Sequence, residues 1–374
     1  MTTIPGRRRA AACLPLLLSL SCAPKPILVG FAGSITGKNS DLGIDGREAV
    51  EMAVDEANAA GGIRGRRLRL EVRDDGGDPG LAARNQLELA KEGVVAVIGH
   101  STSALTLPAL AQEGAKGLVT IAATVSTPLL TGKDDYFFRV GSDSSVEVLQ
   151  AAAYLRERLG ARTIVGAYDS SNAAYAETWY RDLARRFTEL GGKAAEPVPF
   201  SSGNIGSWEG IAAAVVASAP SFDAIAIAAG SADTALVAQR LRRRGVAAPI
   251  LSSSWAETQE TVQQGGEAVE GMLFSETFDV RSVSPAYLVF SKAFRERYGR
   301  DPTFSAAHHY EAALYLFKAL ELAGPRGRLR EALLRIERME GLQGEILFDR
   351  FGDATRKGVM LEIRNGAFRS AAGP

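Results

Sequence analysis

From Ile27 onward the chain alternates between two hydrophobic periods. Short apolar runs bounded by turn residues, Ile27–Ala32, Leu68–Arg73 and Val94–Ile98, read as strands. Between them Ile44–Ala59 and Pro79–Glu92 repeat apolar positions every three or four residues and read as helices, the second with proline in its first turn. Val94–Ile98 and the later run Leu118–Ala122 are apolar without alternation, the pattern of strands buried on both faces. Strand, helix and strand in succession predict βαβ units, a parallel sheet and right-handed crossovers.

A second series of the same kind starts near Ser144. Val146–Leu159 reads as a helix, Thr163–Tyr168 as a strand and Asn172–Leu190 as a helix with an apolar stripe of Trp179, Leu183, Phe187 and Leu190. Asp223–Ala228, Ala232–Arg244 and Pro249–Ser252 continue it as strand, helix and strand. Beyond Gly271 the pattern turns helical: Ser284-Pro285 opens a helix carrying Tyr287, Phe290, Phe294 and Tyr298 at helical spacing, an ordinary core stripe. Phe304–Leu322 and Leu329–Ile336 follow as helices, and Gly344–Asp349 with Gly358–Arg364 read as a hairpin. The fold class is therefore α/β, in two similar lobes.

Two predicted strands run straight into hydroxyl-rich loops, Gly99-His100-Ser101-Thr102-Ser103 and Ala123-Thr124-Val125-Ser126-Thr127-Pro128. Loops at the carboxyl ends of neighbouring parallel strands offer free backbone N–H groups and small hydroxyls, a natural cleft for an anion. This points to small-molecule binding before catalysis.

The chain has 374 residues, long enough for two domains. Lys+Arg and Asp+Glu are 43 each, which gives no charge argument for nucleic acid as a partner. At the start, Arg7-Arg8-Arg9 precedes Ala10–Leu20, an apolar run too short to span a bilayer and suited to a signal peptide. Cys22 at its end, after Ser19-Leu20-Ser21, is the expected lipidation site of an envelope lipoprotein, although Ser19 stands where leucine is usual. Residues 1–22 are thus expected to be a signal segment. Both cysteines fall within it, so neither a disulfide nor a cysteine-based metal site is expected in the mature fold. No cofactor is expected.

Catalytic motifs fail on inspection. Around Ser101 the G-x-S-x-G elbow has Ser103 in place of its last glycine. Gly33–Asn39 imitates a phosphate-binding loop but has one residue too few between its glycines, and Asn39 replaces the Ser/Thr. His308 and His309 are adjacent on a helix and diverge, so they make no i,i+4 metal pair and read as structural.

Several segments resemble the type I periplasmic binding proteins, in the leucine/isoleucine/valine-binding branch that feeds ABC transporters. They include Gly46-Arg47-Glu48-Ala49-Val50 through Asn58-Ala59-Ala60-Gly61-Gly62-Ile63-Arg64-Gly65, Asp74-Asp75, Asp78-Pro79 and Ile98-Gly99-His100 with Ser103. Thr127-Pro128-Leu129-Leu130-Thr131, Arg139-Val140-Gly141 with Asp143, and Ala268-Val269-Glu270-Gly271 complete the set. The resemblance spans roughly residues 27–365. It implies two Rossmann-like lobes with parallel sheets joined by a three-strand hinge, lobe 1 being 27–142 plus 276–341 and lobe 2 being 143–275 plus 342–368. A ligand would be trapped between them by hinge closure.

The resemblance also implies the site. The ligand carboxylate would lie on Ser103, with Ser101 and Thr102 beside it, and on Thr124 and Ser126; the ordinary alternative for these residues is helix capping. Tyr175 resembles the family's lid tyrosine, at a longer spacing from Asp169. The family's amine-binding carboxylate falls on or near Ser254, where this chain has no acid; Glu257 is the nearest, after Trp255, whose indole could stack on a ligand, so either Glu257 takes the role or the ligand has no free α-amine. The aromatic expected after the Ala224–Ala229 segment is replaced by Gly230-Ser231-Ala232, which makes Ser231 a further candidate in a roomier pocket. The implied partners are a small carboxylate or amino acid, ABC permease subunits and, through Cys22, the membrane surface. A sensor presenting the clamp to a membrane receptor, or an α/β enzyme, is the competing reading.

Overall fold

The computed structural model describes residue 2 and residues 24–37, 39–204, 206–324 and 328–371. The signal segment and Cys22 lie outside the described residues. The first lobe is a parallel sheet of β1 (Ile27–Gly33), β2 (Leu68–Asp74), β3 (Ala96–Gly99), β4 (Val119–Ala122) and β5 (Phe137–Arg139), in the order β2-β1-β3-β4-β5. Every residue of β3 and β4 is buried, as their unbroken apolar runs demand. Helices α1 (Ser40–Ala59), α2 (Pro79–Glu92) and α3 (Ser103–Leu110) connect these strands. Asp78 caps α2 by accepting from the Leu81 amide.

The second lobe repeats the plan. β6 (Thr163–Asp169), β9 (Ala224–Ala228), β10 (Ile250–Ser253) and β11 (Leu273–Glu276) run parallel, with the short β7 (Lys193–Ala194) and β8 (Val198–Phe200) both paired to β6. Its helices include α4 (Ser144–Ala153), α5 (Ala173–Glu189), α6 (Trp208–Ala217), α7 (Ser231–Arg243) and α8 (Gln259–Gly265). On α5, Trp179, Leu183 and Phe187 are fully buried, each stabilising the lobe by about 1.5–3 kcal/mol. Leu190, expected on the same stripe, is half-exposed because the helix ends at Glu189 and the chain turns outward.

The C-terminal third departs from expectation in one respect. After α9 (Pro285–Tyr298), α10 (Phe304–Ala323) and α11 (Leu329–Leu334), the chain forms an antiparallel sheet of β12 (Arg338–Gly341), β13 (Gly344–Phe348) and β14 (Ala354–Thr355). The expected hairpin of Gly344–Asp349 with Gly358–Arg364 does not form. β15 (Val359–Ile363) instead pairs antiparallel with β11 and with β16 (Phe368–Ser370), in the second lobe's sheet. The physical reason is packing: Ile346, Phe348 and Ala354 enter the core of the first lobe, Phe348 stacking on Tyr315 at 4.3 Å. Residues 344–355, placed with the second lobe by the resemblance, therefore stay with the first, and the chain crosses back between Thr355 and Val359. The aromatic stripe of α9 is core, as its spacing suggested: Tyr287, Phe290 and Phe294 are buried against one another.

The chain crosses between sheets three times, after Arg139, after Glu276 and after Thr355. Arg356 ties the crossings together. Its amide donates to Ser142 Oγ at 2.7 Å, its Nε donates to the Val140 carbonyl at 2.6 Å, and its guanidinium pairs with buried Glu311. In both lobes the strand order reverses beside the first strand, between β1 and β3 and between β6 and β9. Loops at the carboxyl ends of the strands around such a switch point form a crevice, and here the two crevices face one another.

Candidate functional site

The first hydroxyl loop follows β3. Gly99 has φ of 146°, and a Cβ there would stand 2.1 Å from the Ala32 carbonyl oxygen, so only glycine lets β3 turn this close to β1. The turn delivers Ser103 to the first position of α3, where backbone N–H groups are left free by the helix. Ser101 is committed elsewhere, its Oγ accepting from the Ser34 amide at 3.0 Å. Thr124, in the second loop, donates to the Ser101 carbonyl at 2.8 Å and binds the two loops together. The Ser126 carbonyl accepts from the Ser144 amide at 2.8 Å, fixing the loop at the first crossing.

The opposite wall comes from the second lobe. Asn172 and Tyr175 stand at the start of α5, and Ser254 and Trp255 occupy a turn directly after β10. Tyr175 and Trp255 meet edge to face, with ring centroids 6.1 Å apart. Ser101, Thr102, Ser103, Thr124, Ser126, Asn172, Tyr175, Ser254 and Trp255 line one cavity of about 30 Å³ with Leu42 of α1 and Phe304 of α10. Eight of the ten candidates named from the sequence are thus brought together.

The lobes touch around it. The Ala104 amide donates to Asn172 Oδ1 at 3.0 Å, and Thr127 Oγ1 donates to the Ala174 carbonyl at 2.6 Å. Leu42, Met52 and Phe304 from the first lobe share an apolar cluster with Tyr175, Trp179 and Trp255 from the second.

Two candidates lie apart. Ser231 hydrogen-bonds Thr258 at 2.8 Å and reaches Asp41 across the cleft at 3.4 Å, in a different cavity lined also by Asn39 and Glu260. Ser231 opens α7 directly after β9 and is held there by Thr258, apart from the hydroxyl loops. Glu257, three residues beyond Ser254, points back into the protein and lines a cavity with Tyr287, Ser291 and Arg295. It is 3% exposed and neither carboxylate oxygen has a partner. Burial, then the nearby charges of Glu276, Asp279 and Glu147, pushes its carboxyl well above the usual range.

The acids behind the site are ones the sequence did not single out. A second cavity, of about 30 Å³, shares Thr124, Ser126, Ser254 and Phe304 with the first and reaches the buried Glu147, Glu276 and His308. Ser254 Oγ donates to Glu147 Oε1 at 2.9 Å, and the Tyr175 hydroxyl donates to Glu147 Oε2 at 3.4 Å. Glu276 Oε1 accepts from the Thr277 amide at 2.6 Å. Burial, with the charge of Glu276 second, raises the Glu147 carboxyl well above the usual range, and burial raises that of Glu276 to about 7. His308, expected to be structural, lines this inner space, while His309 packs on Phe31 and its Nδ1 meets the Ser305 carbonyl at 2.8 Å. Burial lowers His309 to about 4. Among the described residues no group of His, Cys, Asp and Glu could hold a metal ion, and no helix is long and apolar enough to cross a membrane.

A model of the family described as periplasmic binding protein matches residues 26–367. The chain belongs to the periplasmic binding proteins. Within the family it is 26% identical to a Leu/Ile/Val-binding protein homolog of Brucella melitensis, over 91% of each chain. It is 25% identical to a leucine-, isoleucine-, valine-, threonine- and alanine-binding protein of Pseudomonas aeruginosa, over 93% of this chain and 92% of the relative. Among solved structures it resembles a leucine-binding protein of Thermotoga maritima, with TM-score 0.84, 26% identity and coverage of 92% of this chain and 98% of that one. It also resembles a branched-chain amino acid transporter substrate-binding protein of Streptococcus pneumoniae in complex with isoleucine, with TM-score 0.82, 26% identity and the same coverage. The fold is that of the type I periplasmic binding proteins, two α/β lobes with parallel sheets.

Proposed function

We propose that this chain is an extracytoplasmic substrate-binding protein of an ABC importer, and that it captures an amino acid between its lobes. The observation that carries the reading is the convergence of two lobe 1 hydroxyl loops with an aromatic and polar wall from lobe 2 on one cavity. The ligand carboxylate accepts hydrogen bonds from the Ser103 and Ser126 hydroxyls and from the Ser103 amide at the start of α3, so that no buried cation is needed. The α-ammonium group donates to Ser254, whose own hydroxyl is backed by Glu147. Thr102 and Thr124 shape the loops, and Tyr175 and Trp255 cover the ligand. No bond is made or broken: the work is differential affinity for the ligand in open and closed clamps, and the closed clamp is the form offered to permease subunits. Membership of the family supports an extracytoplasmic location. Lipidation at Cys22 is part of the proposal and would keep the clamp at the membrane surface.

The test is calorimetry of the purified protein with a panel of amino acids. Ser103→Ala combined with Ser126→Ala removes two charge-assisted hydrogen bonds and is expected to weaken binding by about a hundredfold or more. Near-ultraviolet circular dichroism of the double variant should match that of the parent. Unchanged affinity in a folded variant sinks the assignment.

A further inference from the structure

The inner cavity sets two acids and a histidine among the hydroxyls of Thr124, Ser126, Ser142, Ser254 and Thr277. Glu147 and Glu276 bring four carboxylate oxygens, and among the described residues neither carboxylate forms a salt bridge. The nearby guanidinium of Arg356 is already paired with Glu311. His308 Nε2 is buried and has no hydrogen-bond partner, and the residue is 3% exposed. Burial, and then the charge of Arg356, holds this imidazole neutral, while its other nitrogen donates to the Ala123 carbonyl. A neutral histidine that donates through Nδ1 presents a lone pair at Nε2. Two acids and an imidazole lone pair around one buried space suit a group rich in N–H donors and carrying positive charge.

An α-ammonium stands one carbon from the carboxylate it accompanies, and so belongs where the two cavities meet, beside Thr124, Ser126 and Ser254. The inner compartment lies beyond. We propose that the ligand is a short basic amino acid whose side-chain ammonium seats in the inner compartment, between Glu276 and His308. This rests on the amino-acid reading above and narrows it to a diamino acid. A branched aliphatic side chain in the same place would strip water from both carboxylates and return no hydrogen bond.

Calorimetry with matched ligands tests this: 2,4-diaminobutanoate and ornithine against norvaline and leucine, at one pH and ionic strength. The diamino acids are expected to bind at least tenfold more tightly than norvaline. Glu276→Gln, which keeps the shape and removes the charge, is expected to cut that preference at least tenfold. Should the variant fail to fold, the ligand comparison on the unaltered protein stands alone and Glu147→Gln provides the second variant. Norvaline or leucine binding as tightly as the diamino acids, or a preference untouched by Glu276→Gln, overturns the inference and leaves the amino-acid reading intact. Failure of every α-amino acid to bind overturns both.

Discussion

Ser254 donates a hydrogen bond of 2.9 Å to Glu147, joining the turn after β10 to helix α4, residues 107 positions apart. The carboxyl group that meets Ser254 thus comes from another element, α4. The pair is buried, so its hydrogen bond is charge-assisted whenever Glu147 is ionised.

This relationship predicts coupling in ligand binding. Ser254→Ala and Glu147→Gln, made singly and together, should be non-additive by about 1–3 kcal/mol in binding free energy. The four proteins measured by calorimetry complete the cycle. Strict additivity would mean that the two side chains serve the ligand separately.

Closure depends on contacts across the cleft. Asn172→Ala deletes the acceptor that holds the Ala104 amide and costs the closed state about 1 kcal/mol, a fall in affinity of about fivefold. Small-angle scattering without ligand should show a larger radius of gyration for the variant than for the parent. An unchanged profile and affinity would remove this contact from the closure mechanism.

Glu257 governs a pH dependence of stability. Its carboxyl titrates higher in the folded chain than in the unfolded one, through burial and the facing charges of Glu276, Asp279 and Glu147. The folded state therefore holds the proton more tightly. Its stabilising contribution is complete below the ordinary carboxyl range and is lost as pH rises. Glu257→Gln removes that loss, so the melting temperature of the variant relative to the parent should climb as pH rises above the ordinary carboxyl range. A constant difference above that range would show that Glu257 keeps an ordinary titration.

Arg139 is 1% exposed, bridges to Asp353 at 2.8 Å and donates to the Thr127 carbonyl at 3.1 Å. Arg139→Ala strands a carboxylate and frees the second hydroxyl loop, at a cost of about 3–5 kcal/mol. Urea denaturation should show the lower midpoint, and ligand affinity should fall with it. An unfolding free energy within about 1 kcal/mol of the parent's would mean the ion pair is replaced locally.

Much of the architecture was legible because local pattern and tertiary burial agree. Val94–Ile98 and Leu118–Ala122 read as buried strands and contain β3 and β4, and the loops after them converge as their hydroxyls suggested. The hairpin at residues 344–364 was misread because period-2 alternation marks a strand without naming its neighbour. Glu147 escaped notice for a similar reason: an acid in the first turn of a helix is commonplace at the surface. Here that turn faces β10 and β11. Glu257, by contrast, drew attention through its closeness in sequence to Ser254, yet the turn carries it to another cavity.

The sequence by itself determined the α/β class, the repeated lobes, the core stripes and the paired hydroxyl-rich loops, because each rests on spacing within one short segment. Tertiary structure alone decided which acids stand behind Ser254 and that His308 lines the inner compartment. Those groups come from α4, β11 and α10 and meet only when two sheets close on one another. Periodicity fixes which face of an element is buried; what that face meets is set by packing between elements far apart in the chain.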